Sequence, residues 1–387
     1  MDIFETDKTY IADTYARFPV EIVSGKGAKL MGSDGKQYTD LASGIAVNTF
    51  GASDDEWVNA VTAQLKLIQH TSNLYYTEPC ALLAKALCER TGMKKVFFSN
   101  SGAEANECAI KAARKYAALK KGKDAHTIVT LKNSFHGRTI TTLAATGQDV
   151  FHEQFLPLTE GFVYAEANNT DDLKAKTAEN NVAAIMFETV QGEGGVNPLT
   201  AEFVKAIADI AAEKDILVIT DEVQTGNGRT GMLYGYMNYG IQPDIVTTAK
   251  GLGGGLPIGA TLLGEKVKDV YKPGDHGSTF GGNPVVCAGA LNILSRITDE
   301  LLAGVRNKSK LIFDTLSGAS GIKSVTGLGL MIGVETEKPV SEVISICREN
   351  GVLVIKAKNK VRLLPPLNIE YDELKAALDV IKKACAQ

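Results

Sequence analysis

Two reactive residues stand at the ends of two buried-strand patterns. Asp221 closes the apolar run Ile216-Leu217-Val218-Ile219-Thr220. Lys250 follows Asp244-Ile245-Val246-Thr247-Thr248-Ala249, and the chain then breaks into Gly251-Leu252-Gly253-Gly254-Gly255. A lysine amine forms a Schiff base with a carbonyl, and a carboxylate holds a protonated ring nitrogen. Pyridoxal phosphate (PLP) needs both partners. Taken alone, the pair also fits a strand-end aspartate and a surface lysine, so the surroundings must decide.

Other loops carry further chemistry. Ser99-Asn100-Ser101-Gly102-Ala103-Glu104 joins an apolar strand to a helix. Ser101 is placed to cap that helix, Gly102 lets the backbone come close, and the free N–H groups suit an anion. Neither this stretch nor the 251–255 glycines form a GxGxxG fingerprint or a phosphate-binding P-loop. Phe135-His136-Gly137-Arg138 offers a flat ring for stacking, an imidazole, and a guanidinium fork for a carboxylate. Glu193 lies in the glycine loop 191–195, Gly277-Ser278-Thr279-Phe280 precedes a helix, and Arg362 lies at a strand edge. Each feature alone also reads as a capped helix, a solvated turn or a surface ion pair. Together they place polar groups after almost every apolar strand of the central region, which is where an open parallel sheet binds its ligand.

The elements that must position these loops follow from the pattern. From Lys95 onward, short apolar runs (Val96–Phe98, Ile128–Leu131, Val182–Phe187, Ile216–Thr220, Asp244–Thr248, Ala260–Leu263) alternate with helical spacings over 102–120 and 201–214. That alternation predicts an α/β fold with a mostly parallel central sheet and helices on both faces. Earlier, 54–70 and Pro79–Thr91 have helical spacing, whereas 1–35 reads as short polar segments and turns. After about 283 come a helix over Pro284–Ile297, short strands near 322–335 and 352–363, and a terminal helix from Tyr371, the texture of a smaller α+β domain. The expected division is 1–50 as an N-terminal part of the small domain, 51–280 as the large domain, and 281–387 as the C-terminal domain.

With 387 residues, 44% hydrophobic and 22% charged, the chain has ample material for a core. Its net charge of −4 gives no footprint for nucleic acid. No apolar run spans a membrane and no signal peptide is readable. The six cysteines are scattered with no CxxC, as expected of reduced thiols in a cytoplasmic protein. The five histidines show no metal-binding spacing, so no metal site is expected.

The ordered motifs Phe135-His136-Gly137-Arg138, Gln191-Gly192-Glu193-Gly194-Gly195, Asp221-Glu222-Val223-Gln224-Thr225-Gly226, Lys250-Gly251 and Gly277-Ser278-Thr279-Phe280-Gly281-Gly282-Asn283-Pro284 resemble those of the class III PLP-dependent aminotransferases. The likeness covers essentially the whole chain. It departs where the family usually has Gly-His-x-His-Pro and this chain has Gly51-Ala52-Ser53-Asp54-Asp55-Glu56; that stretch is read as structural. The resemblance implies the type I PLP fold and a homodimer with shared active sites. It implies that Lys250 holds PLP and moves the proton, and that Asp221 keeps the ring nitrogen protonated. Gln224 is expected at the ring 3-oxygen, and Val223 and Phe135 on the two ring faces. Ser101, Gly102 and Ala103 fall to the phosphate, with Thr279 reaching it from the partner subunit; His136 and Glu222 complete the cofactor set. For substrates the resemblance implies N-acetylornithine and 2-oxoglutarate/glutamate, with Arg138 on the far carboxylate and Arg362 on the near one. Glu193 would mask Arg362 when the amine substrate is bound. Tyr15, Gly44 and Ser278 are expected around the substrate. Related ornithine aminotransferases carry tyrosine at the Gly44 position, and glycine leaves room for an N-acyl group. Succinylornithine, ornithine, N-succinyldiaminopimelate or another ω-amine stay open as alternatives.

Overall fold

The computed structural model describes residues 2–179 and 181–386. At its centre is a seven-stranded sheet of Lys95–Ser99, Gly259–Leu263, Ile245–Thr248, Leu217–Asp221, Val182–Phe187, Thr127–Leu131 and Phe162–Ala165, in that spatial order. The pairings from Ile245–Thr248 through Phe162–Ala165 are parallel, and Gly259–Leu263 runs antiparallel to both of its neighbours. The inner strands are buried along their whole length, because helices cover both faces and water reaches neither. Their threonines are accommodated by specific bonds: Thr261 donates to the Ala105 carbonyl at 2.8 Å, and Thr247 to Asn106 Oδ1 at 2.7 Å.

The helix Gly102–Lys121 crosses this sheet. Ser101 caps it by accepting from Glu104 N, Glu104 accepts from Asn100 N at 3.0 Å, and Lys120 and Lys121 lie in its last turn. Acid at the start and base at the end both suit the helix dipole. Its buried stripe of Ala105, Cys108, Ala109, Ala112 and Ala113 is small-sided, so the helix can lie close to the strands.

Within 1–35, expected as polar segments and turns, lie the strands Ile22–Lys26 and Lys29–Gly32, which with Gln37–Asp40 form an antiparallel three-strand run. The first is almost wholly exposed, so it lacks the apolar alternation that marks a half-buried strand. Gln37–Asp40 pairs in parallel with Val352–Leu353, tying the N-terminal segment to the C-terminal region. There an antiparallel sheet of Ile322–Leu328, Met331–Thr336, Lys360–Leu363 and Ile355–Ala357 packs with the helices Asp299–Leu316, Val340–Glu349 and Tyr371–Ala386 around one core. The first of these helices escapes the sequence pattern because buried Lys308 and Ser309 interrupt its apolar stripe. The helix Pro284–Arg296, which the expected boundary at 281 assigns to the C-terminal domain, packs instead in the large-sheet core: Cys287, Ala290, Ile293 and Leu294 join Leu83, Leu87, Phe98 and Val246. Among the described residues no helix is long and apolar enough to cross a membrane, and no cluster of ligating side chains could hold a metal ion.

Candidate active site

The C-terminal ends of the parallel strands open into a cavity of about 600 Å³. Its lining includes Asn100, Ser101, Gly102, Ala103, Phe135, His136, Arg138, Asp221, Val223, Gln224 and Lys250, supplied by loops up to about 150 residues apart in sequence. The first turn of the helix Gly102–Lys121 opens here, so the residues at its N-terminus bring unsatisfied N–H groups and the positive end of the dipole to one end of the cavity. Only glycine fits at 102: a Cβ there would stand 2.7 Å from Val223 Cγ1. That close approach keeps the helix start and the Val223 side chain in one site.

Asp221 ends the strand Leu217–Asp221 and is 3% exposed. Its Oδ2 accepts from Asn106 Nδ2 at 2.8 Å and lies 2.8 Å from His136 Nδ1, and its Oδ1 accepts from Val223 N at 3.0 Å. A buried carboxylate with donors on both oxygens is held in one orientation and retains lone pairs for a further donor. His136 Nε2 is buried without a protein partner, leaving a polar atom for something else to satisfy. Phe135 lines the same cavity as Val223.

Lys250 opens the short turn Lys250–Leu252 with φ of 44°, a left-handed conformation that costs a non-glycine residue free energy and marks functional sites. Burial lowers the pKa of its ammonium, against the opposing pull of the Glu193 and Asp221 carboxylates. The amine is thereby brought nearer the neutral form that attacks a carbonyl.

A second network lies beside it. Arg362, in the strand Lys360–Leu363 and 2% exposed, donates Nη1 to Glu193 Oε1 at 2.7 Å and Nη2 to Glu193 Oε2 at 3.2 Å. Nη1 also donates to Gln224 Oε1 at 3.1 Å. Burial raises the Glu193 carboxyl, and the Arg362 guanidinium outweighs it, so the pKa ends below the ordinary carboxylate value. Arg138 is exposed at the rim, its guanidinium 4.1 Å from the Phe151 ring centroid and 5.4 Å from that of Phe135. Tyr15, itself largely exposed, reaches the same rim.

Six expected residues do not line this cavity: Glu193 and Arg362 form the network beside it, and Glu222, Gly44, Ser278 and Thr279 lie elsewhere. Glu222 is turned away from it: Oε2 accepts from Gly235 N at 2.7 Å and Thr225 Oγ1 at 2.6 Å, and Oε1 accepts from Tyr236 N at 2.8 Å. Successive residues of an extended chain point to opposite sides, so Asp221 facing the cavity sends Glu222 into the core. There burial pushes its carboxyl up to about 7, and it fixes the 235–239 turn rather than a cofactor. Gly44 sits on an exposed turn with φ of 63°. Ser278 lines a separate cleft of about 530 Å³ with His70, Asn73 and His276, and touches the first site only through its Oγ, 3.2 Å from Asn100 Nδ2. Thr279 is exposed. Of the cavity residues with polar side chains, Asn100, Asn106 and Glu188 received no role from the sequence. Asn106 and Glu188 carried a signal: Asn106 is one helical turn after Gly102, on the same face, and Glu188 directly follows a buried strand, much as Asp221 ends one.

This arrangement pairs a strained lysine with a buried aspartate, an aromatic face and a helix N-terminus, a donor set that fits a flat carbonyl-bearing ring with a phosphate. The family description "Aminotransferase class-III" matches residues 10–385. The chain is 49% identical to the acetylornithine aminotransferase of Haemophilus ducreyi over 387 residues, covering all of this chain and 98% of the relative. It is 46% identical to the acetylornithine aminotransferase of Caldanaerobacter subterraneus, with 97% of each covered. Its fold matches the crystal structure of the ornithine aminotransferase from Toxoplasma gondii with a TM-score of 0.95 at 33% identity, covering 99% and 94% of the two chains. The N-acetylornithine aminotransferase from Stenotrophomonas maltophilia matches with a TM-score of 0.86 at 33% identity, covering 99% and 98%. A match of that extent at that identity, on top of a strained lysine and a buried aspartate in one cavity, makes this chain a member of the class III aminotransferases, enzymes that work with pyridoxal phosphate.

Proposed function

We propose that the protein moves the side-chain amino group of N-acetylornithine to 2-oxoglutarate, in two half-reactions on one cavity. The observation that carries this reading is the pair of buried Arg362 and half-buried Glu193 beside Lys250. Such a pair equips one site for two substrates. The amine donor presents a carboxylate-free end, against which a bare guanidinium would be a desolvated, unpaired charge. The dicarboxylate acceptor presents a carboxylate that Arg362 can hold bidentately once Glu193 moves aside. Arg138, at the rim, takes the far carboxylate, which both substrates have.

Bound pyridoxal phosphate supplies an electrophilic carbonyl and a ring that takes up electrons from the substrate carbon. The residues supply the rest. Lys250 Nζ holds the cofactor and then carries the proton away from the amine-bearing carbon. Asp221 would accept a hydrogen bond from the ring nitrogen and keep it protonated, while Asn106 and His136 fix the carboxylate. Backbone N–H groups at Gly102 and Ala103, with Ser101 capping the helix, would hold the phosphate. Phe135 and Val223 would confine the ring, and Gln224 would serve its 3-oxygen. Thr279, Ser278 and Gly44 belong to this reading only if a second copy supplies them. A homodimer is therefore part of the proposal, and the exposed Tyr75, Tyr76 and Phe280 are surfaces for it. The substrate site then spans the large domain and the strand carrying Arg362.

The test is the visible absorbance of the purified holoenzyme as N-acetylornithine, ornithine, 4-aminobutyrate and lysine are added separately. Fast loss of the lysine-bound cofactor signal with N-acetylornithine, and much slower loss with ornithine, is the expected result. Faster conversion by any of the other three amines would replace the substrate named here. For the masking role of Glu193, replacement by alanine is expected to slow the N-acetylornithine half-reaction by about tenfold or more, and the glutamate half-reaction by less than about threefold. Stopped-flow measurement of both halves decides it, and equal slowing would sink the masking role.

A further inference from the structure

Between the Phe135 loop and the Glu193 loop lies a carboxylate to which the reading above assigns no task. Glu188 follows the strand Val182–Phe187, lines the cavity and is 5% exposed. Its Oε1 accepts from Phe135 N at 2.8 Å, and its Oε2 is 3.4 Å from Gly192 N, the residue before Glu193. The two loops it joins already touch. Gln191 Nε2 donates to the Lys132 carbonyl at 2.8 Å, and a Cβ at Gly194 would stand 2.3 Å from the Asn133 carbonyl oxygen.

A carboxylate offers two acceptor oxygens and no donor, so it can bind two backbone N–H groups from different loops at once. A glutamine of the same length has only one acceptor oxygen, its other terminal atom being a donor. Burial is the largest influence on the Glu188 carboxyl and raises its pKa, as does the Asp221 charge; His136 and the two amides act in the opposite direction. A charge kept in such a place has to be held by the groups it binds.

We propose that Glu188 is a positioning residue for the exchange of substrates: it ties the backbone before Glu193 to the backbone of Phe135, and so holds Glu193 against Arg362 while the amine donor is bound. This rests on the two-substrate reading given above. Glu188 touches neither Arg362 nor Glu193 through its side-chain bonds, and it acts through the loop between them. Freed from Glu188, the 191–195 loop no longer presents Glu193 at a fixed distance, and Arg362 is left unmasked toward the carboxylate-free end of the donor. The acceptor half-reaction needs Glu193 out of the way, so it loses little.

The test compares Glu188→Ala, Glu188→Gln, Glu193→Ala and the Glu188→Ala/Glu193→Ala double variant as PLP-loaded holoenzymes. Both half-reactions, with N-acetylornithine and with glutamate, are followed through the cofactor absorbance. Glu188→Ala is expected to slow the amine half-reaction about tenfold to a hundredfold, the range open to hydrogen bonds with a charged group, and to change the glutamate half by less than about threefold. Adding Glu193→Ala to it should slow the amine half by less than about threefold more, because the two changes remove the same restraint. Glu188→Gln keeps the volume and one acceptor and should show a smaller asymmetry of the same sign, which serves if the alanine variant fails to fold. Equal slowing of both halves, or factors that multiply in the double variant, would show a merely structural role and overturn the proposal. Glu193→Ala slowing both halves alike would remove the masking device, and the Glu188 role with it, while leaving the transaminase reading intact. If wild-type enzyme responds instead to another of the amines tested, only the substrate name falls, and the same ratios are read with that amine.

Discussion

Lys250→Ala is expected to lower turnover by about 10⁴-fold or more and to abolish the visible signal of lysine-bound cofactor. Two functions vanish together, the covalent hold on PLP and the base that moves the substrate proton. Lys250 is the only lysine lining the cavity among the described residues, so no neighbour can take its place. Its φ of 44° adds a second consequence. Alanine is no better suited to that conformation, so the variant should be folded and about as stable as the wild type, with the loss confined to chemistry. Thermal melting of the apoenzymes checks the first point, and single-turnover absorbance with the amine donor checks the second. Partial recovery by a small alkylamine, which can enter the vacated space and act as the base, is the expected signature of this role. Residual turnover within about tenfold of wild type would mean that another group moves the proton.

Asp221→Asn is expected to cost about 10²- to 10⁴-fold in turnover and to weaken cofactor binding. Asparagine has nearly the same shape but lacks the charge that keeps the ring nitrogen protonated. It also spoils the network already present. Asp221 takes donors from Asn106 and Val223 and lies against His136 Nδ1, whereas one end of the asparagine amide is itself a donor. A donor facing donors in a buried place costs about 1–3 kcal/mol, so the apoenzyme should also melt earlier. The informative comparison is with Asn106→Ala, which removes one support and keeps the charge. A deficit similar to that of Asp221→Asn would mean that orientation of the carboxylate, and not its charge, carries the effect. Turnover, cofactor titration and melting of the two variants separate these cases.

Much of the site was legible because strand ends announce themselves. A buried parallel strand is a run of apolar and β-branched residues, and the first polar group after it has to sit in the loop that faces a ligand. Asp221, Lys250, Phe135 and Glu193 were readable in that way, and so was the capped helix start at Ser101. The same rule covered Glu188, but one carboxylate after a strand says nothing about which loops it will join. Asp221 and Glu222 show the limit most plainly. The sequence places two adjacent acids at one strand end, and both were expected at the cofactor. Only the pleat decides that one faces the cavity and the other bonds Gly235 and Tyr236.

The amino-acid order alone therefore determined six of the seven strands of the central sheet, the helices Gly102–Lys121 and Ala201–Lys214 and the placing of Asp221 and Lys250 at strand ends, since these depend on local periodicity and on residue type; the edge strand Phe162–Ala165 went unread. Tertiary structure decided the partnerships. Glu193 and Arg362 stand 169 residues apart and meet because the strand Lys360–Leu363 is packed beside the glycine loop 191–195. The N-terminal strands, too exposed to show a pattern, are held by pairing with Val352–Leu353. Hydrophobic periodicity records which face of an element is buried, whereas contacts between distant loops depend on the whole packed core and leave no local trace.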